Sequence, residues 1–216
     1  MKEYEYECFP IDLKNYGILS AKFSDNQLAP IKSEINEIQK NFDSQNNRKY
    51  NSKLAGNIRQ EYKLIQSEKY LEKLVMPMVE LYDSQYNYFR FNQLSKIVPI
   101  MLSDSWVNFQ EKYEFNPAHC HDGILSFVIW IKVPYDMKNE ITNSPGTNSR
   151  YNTAGMFSLQ YTSTLGTIIP HDVQVDKSTE NCILLFPAKM VHCVYPFFSS
   201  DGYRISVSGN FKFKVD

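Results

Sequence analysis

Tyr203-Arg204-Ile205-Ser206-Val207-Ser208-Gly209-Asn210-Phe211-Lys212-Phe213-Lys214-Val215 alternates between two kinds of side chain from end to end. Tyr203, Ile205, Val207, Phe211, Phe213 and Val215 share one face of an extended chain, and Arg204, Ser206, Ser208, Asn210, Lys212 and Lys214 share the other. Upstream lie further short apolar runs at Ser95–Leu102, Trp106–Tyr113, Leu125–Val133, Met156–Thr162, Leu165–Pro170, Cys182–Phe186 and Val191–Tyr195. Gly, Pro, Asn and Asp separate them. Short strands punctuated in this way predict a β-sandwich or barrel over residues 95–216.

Residues 1–94 read differently. Leu28, Ile31, Ile35, Ile38 and Phe42 recur at steps of three and four, the stripe of an amphipathic helix. Polar Asp43 to Lys53 ends it. A second helix is expected from Ser67 as N-cap with Glu68 in its first turn. Its stripe is Leu71, Leu74, Val75, Met78, Val79 and Tyr82, and Pro77 should kink or split it. The expected organisation is one domain over 1–216, with a mainly helical support (1–94) packed against the β core (95–216). Asp136–Ala154 reads as a long polar loop, a candidate lid over the mouth of a barrel.

Composition narrows the classes of function. With 216 residues, 43% hydrophobic and 14% aromatic, the chain has enough apolar material for a packed core. Its net charge of -1 and the lack of a basic stripe make nucleic acid an unexpected partner. Cys8, Cys120, Cys182 and Cys193 are too few and too scattered for a disulfide scaffold, so they should be reduced. The longest apolar run, Ile124 to Val133, is half the ~20 residues a membrane span needs. Met1 to Phe23 lacks the apolar stretch of a signal peptide. A cytoplasmic protein with no membrane association is expected.

Chemistry concentrates in the rare side chains. The four histidines are His119, His121, His171 and His192. His119 and His121, in Phe115-Asn116-Pro117-Ala118-His119-Cys120-His121-Asp122-Gly123, point to one face if the segment is extended, with Cys120 and Asp122 on the other. Two such imidazoles suit iron, zinc, copper or nickel. His192, on a strand of its own, is the natural third ligand. His171, between Pro170 and Asp172, reads as a turn residue. Arg204 carries a rigid fork of donors suited to a carboxylate, and Ser206 shares its strand face. A buried arginine is costly without a partner, so an anion, from a ligand or from a neighbouring strand, should meet it.

These pieces resemble a known family. The order is His-x-His, then Leu125-Ser126-Phe127-Val128-Ile129-Trp130-Ile131, then Phe186-Pro187 and His192-Cys193-Val194-Tyr195-Pro196, then Arg204-Ile205-Ser206. It is similar to the 2-oxoglutarate/iron(II)-dependent oxygenases, and more closely to members encoded by marine bacteriophages, with Leu54-Ala55-Gly56-Asn57-Ile58 as part of the shared pattern. The resemblance spans roughly residues 50 to 214. It implies a double-stranded β-helix, or jelly roll, packed against N-terminal helices. It implies Fe(II) bound by His119 and His192, with 2-oxoglutarate bound by Arg204 and Ser206. The implied reaction uses dioxygen and couples decarboxylation of 2-oxoglutarate to hydroxylation of an unactivated C–H bond in an unknown substrate. Where the family carries a carboxylate two residues after its first histidine, this chain has His121. The third ligand is then His121, or Asp122 from the turn, or absent. A phage-encoded chain would work in the host cytoplasm. Two alternatives use the same fold: a cupin-like metal-binding protein, and a non-catalytic phage scaffold or assembly module. Arg204-x-Ser206 favours the oxygenase.

Overall fold

The computed structural model describes residues 7–13, 15–89 and 98–214. The elements in chain order are β1 (Leu19–Lys22), α1 (Asp25–Lys40), β2 (Gln60–Lys63), α2 (Glu68–Tyr86), β3 (Ile100–Gln110), β4 (Asn116–His119), β5 (Leu125–Lys132), α3 (Met137–Asn143), β6 (Phe157–Thr162), β7 (Ile168–Val173), β8 (Cys182–Pro187), β9 (Val191–Val194) and β10 (Arg204–Phe213). A six-stranded antiparallel sheet runs β1-β8-β5-β10-β3-β2 and faces a four-stranded sheet, β4-β9-β6-β7. Strands β3 to β10 feed the two sheets in the interleaved order of a double-stranded β-helix.

The larger sheet is covered on both faces, which explains why β5 reads as an unbroken apolar run. Leu125, Phe127, Ile129 and Ile131 join α1 and α2 in one core, together with Val107, Ile205, Val207 and Phe211. Val128 and Trp130 point the other way, into a second core between the sheets with Phe157, Leu159, Leu184 and Phe186. The polar face of β10 is therefore directed into the barrel.

Several expectations are corrected. The support before residue 95, expected to be mainly helical, also supplies β1 and β2, which extend the main sheet at its two edges. Each has only four residues, too short to show a period. The runs at Ser95–Leu102 and Trp106–Tyr113 meet in the single strand β3, residues 90–97 lying outside those described. Strand β7 starts at Ile168 and includes His171, opposite Leu159, because Gly166 forms the preceding turn at φ 80°. His171 is a strand residue rather than a turn residue. Val215 of the C-terminal run also lies outside the described residues. Phe42 follows α1 in a 3-10 turn, and α2 continues through Pro77 as one helix.

Ser67 does not cap α2 with its side chain. Its hydroxyl donates instead to Glu34 Oε2 at 2.6 Å. Glu34, on α1 and 1% exposed, also accepts from the backbone amides of Ile65, Gln66 and Ser67 and from Arg48 Nη1 at 2.6 Å. Burial pushes this carboxyl up, but the Ser67 hydroxyl and the three amides outweigh it and hold its pKa below the ordinary value. One carboxylate thus ties α1 to the chain joining β2 and α2. Glu34→Ala should destabilise the protein by about 3–5 kcal/mol, since it strands a half-buried arginine and three amides at once. Urea unfolding measures this, and Glu34→Gln, which keeps an acceptor, should cost less.

Candidate active site

Three of the four histidines meet in space. His119 and His192 are directly opposed on β4 and β9, with ring centroids 4.3 Å apart. His121 follows β4, held by its backbone amide donating to the Ala188 carbonyl at 2.9 Å. Its ring lies 5.0 Å from that of His119 and 4.9 Å from that of His192. One ligand atom from each residue falls within 4.8 Å of the others.

The hydrogen bonds fix which nitrogens are free. His119 Nδ1 donates to the Pro117 carbonyl at 2.7 Å, and His192 Nδ1 donates to the Met190 carbonyl at 3.0 Å. A carbonyl only accepts, so the Nδ1 nitrogens carry the protons and both Nε2 lone pairs are left for a metal. Burial holds His121 down to about 4 and His192 down to about 3, in each case helped by the neighbouring His119. Neutral imidazole is the metal-binding form. The donor set therefore fits a divalent transition metal such as iron(II).

Asp122 does not join them. It is exposed and pairs with Lys189 at 3.1 Å. Cys120 is exposed on the same outer side, and Cys193 is buried away from the cluster beside Ser158. His171 stands apart on β7.

Arg204 and Ser206 line the same cavity as the three histidines, with Trp106, Phe157 and Phe186 among its walls. Arg204 is 2% exposed. The anion expected beside it is not in contact. Its Nε and Nη2 donate to Gln110 Oε1 at 2.9 and 2.6 Å. Nη2 also reaches the Tyr195 carbonyl at 2.8 Å, and Nη1 reaches the Tyr135 hydroxyl and the Gly155 carbonyl, each at 2.7 Å. All five N–H donors end on neutral oxygens, above the Phe197 ring at 5.6 Å. Ser206 Oγ accepts from Asn108 Nδ2 at 3.2 Å, which leaves its own proton available.

The segment Asp136–Ala154 lines none of this cavity and is not a lid. It folds into α3 and lies behind Arg204. Glu140 of α3 is fully buried and accepts from the amides of Phe198 and Ser199 and from the Ser199 hydroxyl. It packs against Gly155, one layer beyond the guanidinium.

Gln110, Tyr135 and Glu140 escaped the sequence reading. Gln110 was within reach: Asn108 and Gln110 are polar on the β3 face opposite Val107 and Phe109, the same inward parity as Arg204 and Ser206. Tyr135, Gly155 and Tyr195 act on Arg204 from distant segments, two of them through backbone oxygen, which leaves no sequence signal.

Comparison with known proteins gives a family match and a fold. Residues 104–210 match a family described as "Putative 2OG-Fe(II) oxygenase". The structure is similar to a prolyl-4-hydroxylase from Pseudomonas putida, at 14% identity and TM-score 0.55, covering 93% of this chain and 94% of that one. It is also similar to the viral collagen prolyl hydroxylase of Paramecium bursaria Chlorella virus-1, at 13% identity and TM-score 0.51, covering 91% and 96%. The carbocyclase SnoK of nogalamycin biosynthesis, α-ketoglutarate dependent, matches at 13% identity and TM-score 0.51, over 91% and 79%. At such identities these structures speak for the fold alone. No curated protein matches the chain. The matched residues carry the three histidines, Arg204 and Ser206, and over this span the chain is similar to the 2-oxoglutarate/iron(II)-dependent oxygenases. Among the described residues, no helix is long and apolar enough to cross a membrane.

The depressed histidines set a pH dependence in the metal-free protein. Between pH ~6.5, the unfolded value, and pH ~4, the unfolded chain takes up protons on His121 and His192 that the folded chain refuses. Stability should fall with falling pH in this window, by roughly 1.4 kcal/mol per pH unit for each histidine, and level off above pH ~6.5. Urea unfolding from pH 4.5 to 7, comparing wild type with His121→Asn, should show about half of this slope removed.

Proposed function

We propose that the protein is a 2-oxoglutarate- and Fe(II)-dependent dioxygenase that hydroxylates an unactivated C–H bond. One observation carries this reading: three imidazoles converge in the same cavity as a buried arginine that has no anion in contact with it. In this reading His119, His121 and His192 hold the metal, the first two from one strand end and the third from the strand opposite. Arg204 receives the distal carboxylate of 2-oxoglutarate, and Ser206 donates its free proton to the same group. When bound, Fe(II) and 2-oxoglutarate supply the activation of dioxygen, with succinate and carbon dioxide as by-products.

The chain's own part is positioning and exclusion of water. Trp106, Trp130, Phe157 and Phe186 wall the cavity, which suits a reactive centre that bulk water would quench. The cavity holds only about 40 Å3, well below the several hundred Å3 common for small-molecule sites. Gln110 occupies the side of the Arg204 fork that a carboxylate would take. Its side chain must turn aside as the diacid enters, exchanging a neutral acceptor for an anionic one.

Fe(II) and 2-oxoglutarate together should raise the melting temperature, adding about 2.7 kcal/mol of stability at 100 times Kd. A shift with neither ligand would sink the oxygenase reading and favour a scaffold. A shift with metal alone would favour the cupin-like alternative. Arg204→Ala should remove the 2-oxoglutarate increment and keep the metal increment, as should the near-isosteric Gln110→Glu, which puts a permanent carboxylate on the fork. Loss of a charge-paired partner of this kind commonly weakens binding by about 2 kcal/mol or more, ~30-fold.

The third ligand has its own test. His121→Ala should lower the iron content of anaerobically reconstituted protein, and Asp122→Ala should leave it unchanged. The reverse ranking would assign the site to Asp122.

A further inference from the structure

A second cavity of about 470 Å3 adjoins the first, and the two share His121 and Leu54. His121 thus stands in the partition between the smaller cavity of the three histidines and a roomier outer chamber. The outer volume lies in the range of small-molecule sites, about 300–1,000 Å3. Its charged wall consists of Lys53, Lys63 and Lys212, facing Asp104 and Asp122. Asp122 is taken up by Lys189, and Lys63 has Glu68 at 3.9 Å. Asp104 accepts from the Tyr50 and Ser103 hydroxyls. Lys53 and Lys212 enter no ion pair among the described residues. With the ion-pair partners counted, the wall keeps a net positive charge, concentrated in two unengaged ammonium groups from separate elements.

We infer that the outer chamber is the site of the substrate to be hydroxylated, and that this substrate carries a phosphate or carboxylate held by Lys53 and Lys212. The inference rests on the oxygenase reading and adds to it the class of substrate. An unactivated C–H bond offers the protein almost nothing to recognise, so binding energy has to come from a remote group. Two lysines supply that for an anion as point charges, with no demand on its geometry. The anion sits at the rim, and the carbon skeleton extends past His121 towards the metal. Leu54 fits this arrangement. It lies on both chambers, in a segment fixed to the chain before β4 by the Asn57 amide donating to the Phe115 carbonyl at 2.9 Å.

The test uses methylphosphonate and acetate as probes of the two anion chemistries, titrated into metal-free protein and followed by 31P NMR and calorimetry. Binding in the millimolar range is expected. Lys53→Ala/Lys212→Ala should weaken it at least tenfold. Lys132→Ala, at the end of β5 away from the chamber, should leave it unchanged. The tighter probe identifies the substrate's anion. Protein loaded with Mn(II) should then broaden the 31P line of bound methylphosphonate, because the chamber borders the metal cavity. Absence of binding, or equal binding by the double variant, overturns the inference. So does a narrow 31P line in protein whose Mn(II) occupancy is verified by EPR. Failure of Mn(II) to bind, seen in the same EPR measurement, overturns the oxygenase reading and this inference with it.

Discussion

Arg204 is a buried cation whose every donor ends on a neutral oxygen, and much of the barrel is arranged to make that tolerable. Removing a guanidinium from water costs several kcal/mol even after relaxation. Here five charge-assisted hydrogen bonds offset it, each worth roughly 1.5–3 kcal/mol. Those bonds reach Gln110 at the end of β3, Tyr135 after β5, Gly155 before β6 and Tyr195 after β9. A single side chain thus gathers the ends of four strands around the start of a fifth. Burial pushes the Tyr135 phenol up despite the pull of Arg204, so that partner stays neutral. The result is a pocket of positive potential with no anion in contact. Glu140 lies one layer out, close enough to moderate the field and held from direct contact by its own three hydrogen bonds.

The same logic explains why α3 is where it is. A polar stretch of this length between two strands reads as a loop, since nothing in its composition marks a core. Yet Glu140 is fully buried, and its carboxylate holds the amides of Phe198 and Ser199. Phe197, immediately before them, lies against both Tyr135 and the guanidinium. Glu34 works in the same way on α1, gathering Ile65, Gln66 and Ser67. Two buried acids therefore fix two irregular connections, each by accepting backbone amides that would otherwise be orphaned.

Legibility in the sequence follows from this. Strands β5 and β10 were plain, since each is long enough for its period, or its unbroken apolar character, to stand out. Parity alone put His119 and His121 on one face, and the rings do meet there. What could not be read was whatever depends on partners far away in the chain. The four-residue strands β1 and β2 owe their pairing to β8 and β3 rather than to their own pattern. Ser67 looked like a cap because serine before a helix usually is one, but a buried carboxylate 33 residues away competes for its hydroxyl. The expectation of an anion beside Arg204 was sound electrostatics applied without its neighbours, because backbone carbonyls leave no trace in composition.

His121 gives the site a charge balance unlike that of a two-histidine, one-carboxylate centre. Three neutral imidazoles contribute no negative charge, and Asp122, the nearest carboxylate in sequence, turns outward to Lys189. In the proposed reading a divalent ion held there would keep its full charge, and Arg204 adds another in the same cavity. A dianionic ligand is the species that neutralises most of this excess, and an uncharged one would leave it standing in a low-dielectric space. The replacement of a carboxylate by His121 therefore increases the demand for an anionic ligand, and the absence of an acid in contact with Arg204 does the same from the other end of the cavity. Together, the two departures from simple charge pairing leave Arg204 as the one permanent charge on the cavity wall.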